Sequence, residues 1–316
     1  MVQERSTVTR REKSVKELKL TVREDRVREV SSAISELGLD NLKRLEERDP
    51  QYEAIRFLVK RAENIVEVAV LVVANALISY RLTGPGESYW WEFAREAAME
   101  AEQTGNLNVE RFFRDFLARS RHNRLLVGQK ISRIRRFGES RACQELIKGL
   151  LEGHSSSSND VLRLWIELGR ALGSKSQKTL SFAVKMLYYV ARSASRNIEL
   201  PSTIPIPVDL RVSMTTATSL LVSNGSWRRV WRELYGRGRG LAVEAWRRIG
   251  VLSRIPPLHI DALLWTSALE IKKQGFKCER AIKAVAESIY TKLDRGVTKD
   301  VCEKIAIELT RALCIP

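Results

Sequence analysis

Apolar residues recur at helical spacing through nearly the whole chain. Val27, Val30, Ala33, Ile34 and Leu37 mark one amphipathic face, and Val161, Leu162, Leu164, Trp165 and Leu168 mark another. Pro50 fits the first turn of a helix with Asp49 as its N-cap. The most apolar run, Ile65 to Tyr80, is too short to cross a bilayer and carries Glu67, so it predicts a buried core helix. No alternation of apolar and polar residues is long enough for a sheet, and the expected fold class is all-α. Turn signals at Gly84-Pro85-Gly86, Gly138, Gly153 to Asn159 and Pro201 to Pro207 separate the helices, with Ser155 to Ser158 expected as a mobile surface loop. Residues 1–22 mix Arg, Lys and Glu without apolar periodicity and predict a mobile basic arm ahead of one unit over 23–316.

Charge adds a partner to this picture. The 316 residues carry a formal charge of +16, which points to a polyanion, either nucleic acid or an anionic membrane. The apolar run is a poor membrane span, and the N-terminus lacks the apolar core of a secretory signal, so the cytoplasm is the expected location. Cys143, Cys278, Cys302 and Cys314 form no CxxC pair, and His122, His154 and His259 are scattered. No zinc site assembles from such spacing, which predicts metal-free chemistry without a cofactor. Buried thiols are expected, with a disulfide between two of the last three cysteines left open.

The stretch from Leu172 to Asp209 carries the candidate chemistry. A glycine turn at Gly173 leads into a helix opening with Lys178, and Asp209 follows the rigid run Ile204-Pro205-Ile206-Pro207-Val208. An amine and a carboxylate at the starts of two helices can converge on one point. That is minimum equipment for covalent chemistry at a sugar carbon: the amine attacks, and the carboxylate steadies the developing positive charge. Backbone N–H groups of the turn can approach a phosphate.

This segment and three others, ERDPQYEAIRFLVKR (Glu47 to Arg61), NALISYRLTGPGESYWWEF (Asn75 to Phe93) and RIPPLHIDALLW (Arg254 to Trp265), resemble the archaeal 8-oxoguanine DNA glycosylases, the AGOG family of the helix-hairpin-helix glycosylase superfamily. The resemblance runs in blocks from about Asp40 to Trp265. It implies two helical lobes flanking a cleft, with residues from about 50 to 185 forming a lobe inserted between 23–49 and 186–316. It implies base flipping, Schiff-base displacement of 8-oxoguanine from DNA by Lys178, and strand cleavage by β-elimination; a monomer is expected, though the sequence does not itself give the oligomeric state. Some relatives in the superfamily hold an iron–sulfur cluster, which needs four closely spaced thiolates absent from this sequence. The turn LGSKSQK lacks the LPGxG pattern of most of the superfamily, and the gap to Asp209 is longer, both in keeping with the archaeal branch.

Each residue also has a plainer reading. Lys178 alone is an ordinary exposed helix lysine; as a nucleophile it needs its pKa lowered from roughly 10.4 by about two to three units, with Lys175 and the basic background pushing that way. Asp209 reads equally as an N-cap, whose backbone N–H bonds favour the carboxylate. Phe182 lies four residues beyond Lys178 on the same face, as Trp265 does beyond Asp261. The resemblance makes Phe182 and Trp265 flat walls for a flipped purine, adds Trp90, and leaves Trp91 structural. Gln51, carrying donor and acceptor on one amide, suits the N7 edge that oxidation at C8 turns into a donor, and Asp261 suits the N1 and N2 protons. Pro207 fixes the placement of Asp209. Gly173, Ser174, Lys175, Ser176 and Gln177 would hold the DNA backbone beside the lesion. Two basic clusters, Arg119 to Arg136 and Arg228 to Arg239 with Trp227 and Trp231, offer phosphate contacts. The competing readings are a non-catalytic helix-hairpin-helix DNA-binding protein and, on charge alone, an RNA-binding helical protein.

Overall fold

The structure, a computed structural model, describes residues 20–104, 108–153, 157–173 and 177–315. The chain runs β1 (Thr21–Val22), α1 (Glu24–Glu46), α2 (Pro50–Val59), α3 (Ile65–Ile78), α4 (Gly86–Thr104), α5 (Val109–Arg119), α6 (Val127–Gly138), α7 (Arg141–Glu152), α8 (Ser158–Leu172) and α9 (Gln177–Ser193). It continues through α10 (Leu210–Thr218), β2 (Val222–Ser223), α11 (Trp227–Tyr235), α12 (Arg239–Ser253), α13 (Pro257–Lys273), α14 (Cys278–Lys292) and α15 (Lys299–Thr310). The expected all-α class holds. The exception is a two-stranded antiparallel sheet in which Thr21 faces Ser223 and Val22 faces Val222, so the described chain is already paired at residues assigned to the arm. The rest of that arm, residues 1–19, lies outside the described residues, as do Ser155 and Ser156. Ser157 caps α8 and Ser158 is its first residue, so that end of the serine run is helix rather than loop.

Two apolar cores organise the helices. The first gathers residues from Tyr52 to Ile204 together with Leu258. The second gathers Val27 to Leu45 and then Ile206 onward to Leu309. The chain therefore changes core between Ile204 and Ile206, and the boundary expected near 185 falls inside α9, whose buried side chains stay in the first core. From Val68 to Ile78 α3 is buried at every position but Val70, because its apolar residues occupy every face; each fully buried Val, Leu or Ile contributes about 1.5–3 kcal/mol relative to exposure. A charge at Val72 would break it, as that position is fully buried.

Local chemistry sets the helix starts that matter. Asp49 is the N-cap of α2, accepting from Gln51 N at 3.0 Å, with Pro50 in the first turn. Asp209 caps α10 through Oδ1, which accepts from Arg211 N at 2.8 Å and Val212 N at 2.9 Å. The end of α1 is tied to α13 by the buried pair His259 Nδ1 and Glu46 Oε1, 3.1 Å apart. Residues beyond 275, which matched nothing in the four blocks, complete the second core through Ala281, Val285, Ile289, Cys302, Ile305 and Leu309. A disulfide joins Cys278 to Cys314 over a separation of 36 residues, a closure that stabilises by roughly 3–4 kcal/mol on chain entropy. Cys143 and Cys302 are free and buried.

Candidate active site

The hairpin that presents the candidate nucleophile is built at the end of α8. Gly173 takes a left-handed conformation (φ +54°), which glycine adopts without steric cost, and its N–H closes the helix on the carbonyls of Arg170 and Gly169. Arg136 Nη1 donates to Leu172 O at 2.9 Å and braces the turn from α6. Gln177 opens α9, exposed, and Lys178 follows it. Ser174, Lys175 and Ser176 lie outside the described residues.

One small cavity between the cores, about 180 Å³, brings together Lys178, Asp209, Gln51, Trp90, Phe182, Pro207, Asp261 and Trp265. Ser79, Leu82 and Gly86 complete its wall. Ligand pockets usually run about 300–1,000 Å³, so this one suits a single flat group and not an extended molecule. A larger cleft of about 430 Å³ lies between α14 and α15, but its charged residues alternate in sign (Glu279, Lys283, Glu287, Lys299, Glu303), and burial with the nearby Glu287 pushes its free thiol, Cys302, up to about 11, away from nucleophilic chemistry. Trp90 is buried and meets Phe182 edge to face, ring centres 5.9 Å apart. Trp91 packs edge-on against Phe57 and is not among the residues lining the cavity.

Electrostatics divides the cavity. Crowding by the cleft walls pulls the Lys178 ammonium below the usual lysine range; Asp209 opposes this, Arg239 assists it and Asp261 opposes it. By surface area Lys178 is nonetheless exposed, so water in the open cleft screens part of that effect, and a substrate closing over the amine would deepen it. Asp261 is fully enclosed. Burial pushes its carboxyl up to about 6, against the opposing charge and hydrogen bond of Lys185, whose Nζ donates to Oδ2 at 2.6 Å. Burial alone would lower Lys185, but Asp261, Asp49 and Glu46 hold it above the ordinary lysine value. Asp49 Oδ2 lies 3.8 Å from the same Nζ and accepts from Tyr189 Oη at 2.9 Å. The remaining oxygen of Asp209, Oδ2, accepts from Trp265 Nε1 at 3.3 Å.

Four further residues shape the site: Lys185, Arg239, Arg211 and Glu87. Lys185 is seven positions beyond Lys178, two helical turns along one face, and that spacing is a readable signal. Arg239, Arg211 and Glu87 reach the site only through tertiary packing. The guanidinium of Arg211 lies 3.4 Å from the centre of the Trp265 ring and pairs with Glu87 at 2.9 Å.

The two basic clusters differ. In the first, Lys130 is buried, donates to Asn123 Oδ1 and sits 5.0 Å over Tyr80, while Arg119 pairs with Glu96, Arg135 with Glu110, and Arg136 with a carbonyl. Burial lowers the Lys130 pKa to about 8. Lys130 serves internal packing and Arg136 braces a turn, while Arg119 and Arg135 stay on the surface in ion pairs. The second cluster flanks the cavity: Trp231 Nε1 donates to Leu210 O at 3.0 Å, next to Asp209, and Arg239 acts on Lys178. Among the described residues no group of His, Cys, Asp and Glu is arranged to hold a metal, and no helix is long and apolar enough to cross a membrane.

The profile of the AGOG family, described as N-glycosylase/DNA lyase, matches residues 31–299. The N-glycosylase/DNA lyase of Thermococcus kodakarensis is 33% identical over 254 residues, covering 78% of this chain and 86% of that protein. The N-glycosylase/DNA lyase of Aeropyrum pernix is 31% identical over 296 residues, covering 93% and 98%. The crystal structure of the 8-oxoguanine DNA glycosylase of Pyrobaculum aerophilum with 8-oxoguanosine superposes with a TM-score of 0.65 at 28% identity, over 86% of this chain and 97% of that one.

Proposed function

The chain belongs to the AGOG family of N-glycosylase/DNA lyases, and from that premise we propose that it excises 8-oxoguanine from DNA and then cleaves the strand, with Lys178 as nucleophile. The observation that carries this reading is the meeting of Lys178 and Asp209 in one cavity walled by Trp90, Phe182 and Trp265. A flipped base enters between flat walls, Phe182 and Trp265. Lys178, as free amine, attacks C1′ while the bond to N9 breaks and the electron pair leaves with the base; Asp209 steadies the charge on the sugar and takes the proton released by the amine. The ring-opened sugar becomes a Schiff base on Nζ. Loss of a C2′ proton then expels the 3′ phosphate.

Recognition falls to the deeper wall. Lys185 occupies Oδ2 of Asp261, which leaves the other carboxylate oxygen for the N1 and N2 protons of guanine, while the Gln51 amide meets the N7–H edge. The hairpin from Gly173 to Gln177 and the arginines of α11 receive the phosphates, giving an affinity that falls with salt. The enzyme acts as a monomer in the cytoplasm, without metal, cofactor or iron–sulfur cluster.

Borohydride treatment of the protein on a duplex holding 8-oxoguanine tests the reading. A covalent protein–DNA adduct is expected with wild type, and none with Lys178→Ala or with undamaged DNA. Absence of base release and of any adduct from wild type would instead leave a DNA-binding protein in which Lys178 is a phosphate contact.

A further inference from the structure

Trp265 stands between two hollows. One is the cavity that holds Lys178 and Asp209; the other, behind it, is lined by Trp265, Arg211, Glu87, Arg48 and Lys292. Arg211 and Glu87 belong only to the rear hollow, so the guanidinium covers the face of the indole turned away from the cavity. The two ends of the clasp come from different cores. Glu87 sits in the first turn of α4, in the lobe of the first core, and Arg211 in the first turn of α10, in the second. Among the described residues Nη1 of Arg211 is buried without an acceptor, so Glu87 engages the guanidinium through Nη2.

We propose that Arg211 is a positioning residue for base excision: held by Glu87 across the interlobe cleft, it presses flat on the rear of Trp265 and fixes the indole as the wall on which the flipped base stacks. Trp265 Nε1–H reaches Asp209 Oδ2 at 3.3 Å, while Asp209 is held on its own by the cap bonds from the backbone N–H groups of Arg211 and Val212, so the guanidinium places the stacking platform and not the acid. A planar cation is required, because a lysine ammonium could answer Glu87 but could not lie against the ring as a sheet.

This inference rests on the proposed excision of 8-oxoguanine, and the experiment separates the two. Arg211→Ala, Arg211→Lys and Glu87→Gln are compared with wild type in single-turnover release of 8-oxoguanine and, separately, in cleavage of a duplex holding a preformed abasic site, with thermal melting of each protein. An abasic sugar has no base to stack, so a stacking role predicts a split. Release should fall about ten- to a hundredfold in both Arg211 variants, the scale of a small misplacement at a reacting centre, while abasic-site cleavage stays within about threefold. Glu87→Gln should fall between them and wild type. If Arg211→Lys releases base as fast as wild type, or if release and cleavage fall in equal proportion, Arg211 is only an interlobe staple. Wild type that cleaves abasic sites but releases no 8-oxoguanine overturns the substrate reading instead.

Discussion

The two lysines of α9 are seven residues apart on one helix face and live in opposite electrostatic worlds. Lys178, in the first turn, is exposed and crowded by cleft walls, with its ammonium drawn down. Lys185, two turns deeper, is buried and held charged by Asp261, Asp49 and Glu46. The first environment favours a free amine; the second favours a permanent cation beside the Asp261 carboxylate. On the proposed function, one helix separates reaction from recognition by depth.

Substitutions can break that division. Lys178→Ala should abolish adduct trapping and lower base release by at least about a thousandfold, while stability moves by less than about 0.5 kcal/mol because the side chain is exposed; stopped reactions and thermal melting check both. Lys185→Met should do the reverse first, costing about 3–5 kcal/mol in denaturant unfolding, since Asp261 and Asp49 would be left buried without their cation. Asp209→Asn separates the cap from the acid: asparagine caps as well, so stability should change by less than about 1 kcal/mol, while single-turnover release falls about a hundred- to a thousandfold.

The mildest test is pH. Asp261 ionises at about 6, so base release should fall as pH drops through that value, when protonation removes the acceptor and the partner of Lys185. Asp261→Asn should lose that acid limb, and abasic-site cleavage by wild type should never show it. Release and cleavage with the same limb near pH 6 would place the titration elsewhere.

What the sequence disclosed followed the range of the interaction. Asp49 and Asp209 as caps, the Phe182 and Trp265 spacings and the α3 core helix are written in a few consecutive residues, and they stand where local rules put them. Clustering in sequence failed for Lys130: it lies among arginines but turns inward to Asn123 and Tyr80, and composition does not reveal which helix face is buried. The Arg211–Glu87 pair joins residues 124 positions apart, so no local pattern announces it. The short β1–β2 pairing escaped because two residues are too few for an alternation to register.

The Cys278–Cys314 bond has a practical corollary. It staples the tail to the start of α14, so α15 cannot fray away from α14 on heating unless the sulfur link is opened. A thiol reductant should therefore act as a control on lifetime at high temperature, shortening the survival of the enzyme without altering the turnover of the molecules that remain folded.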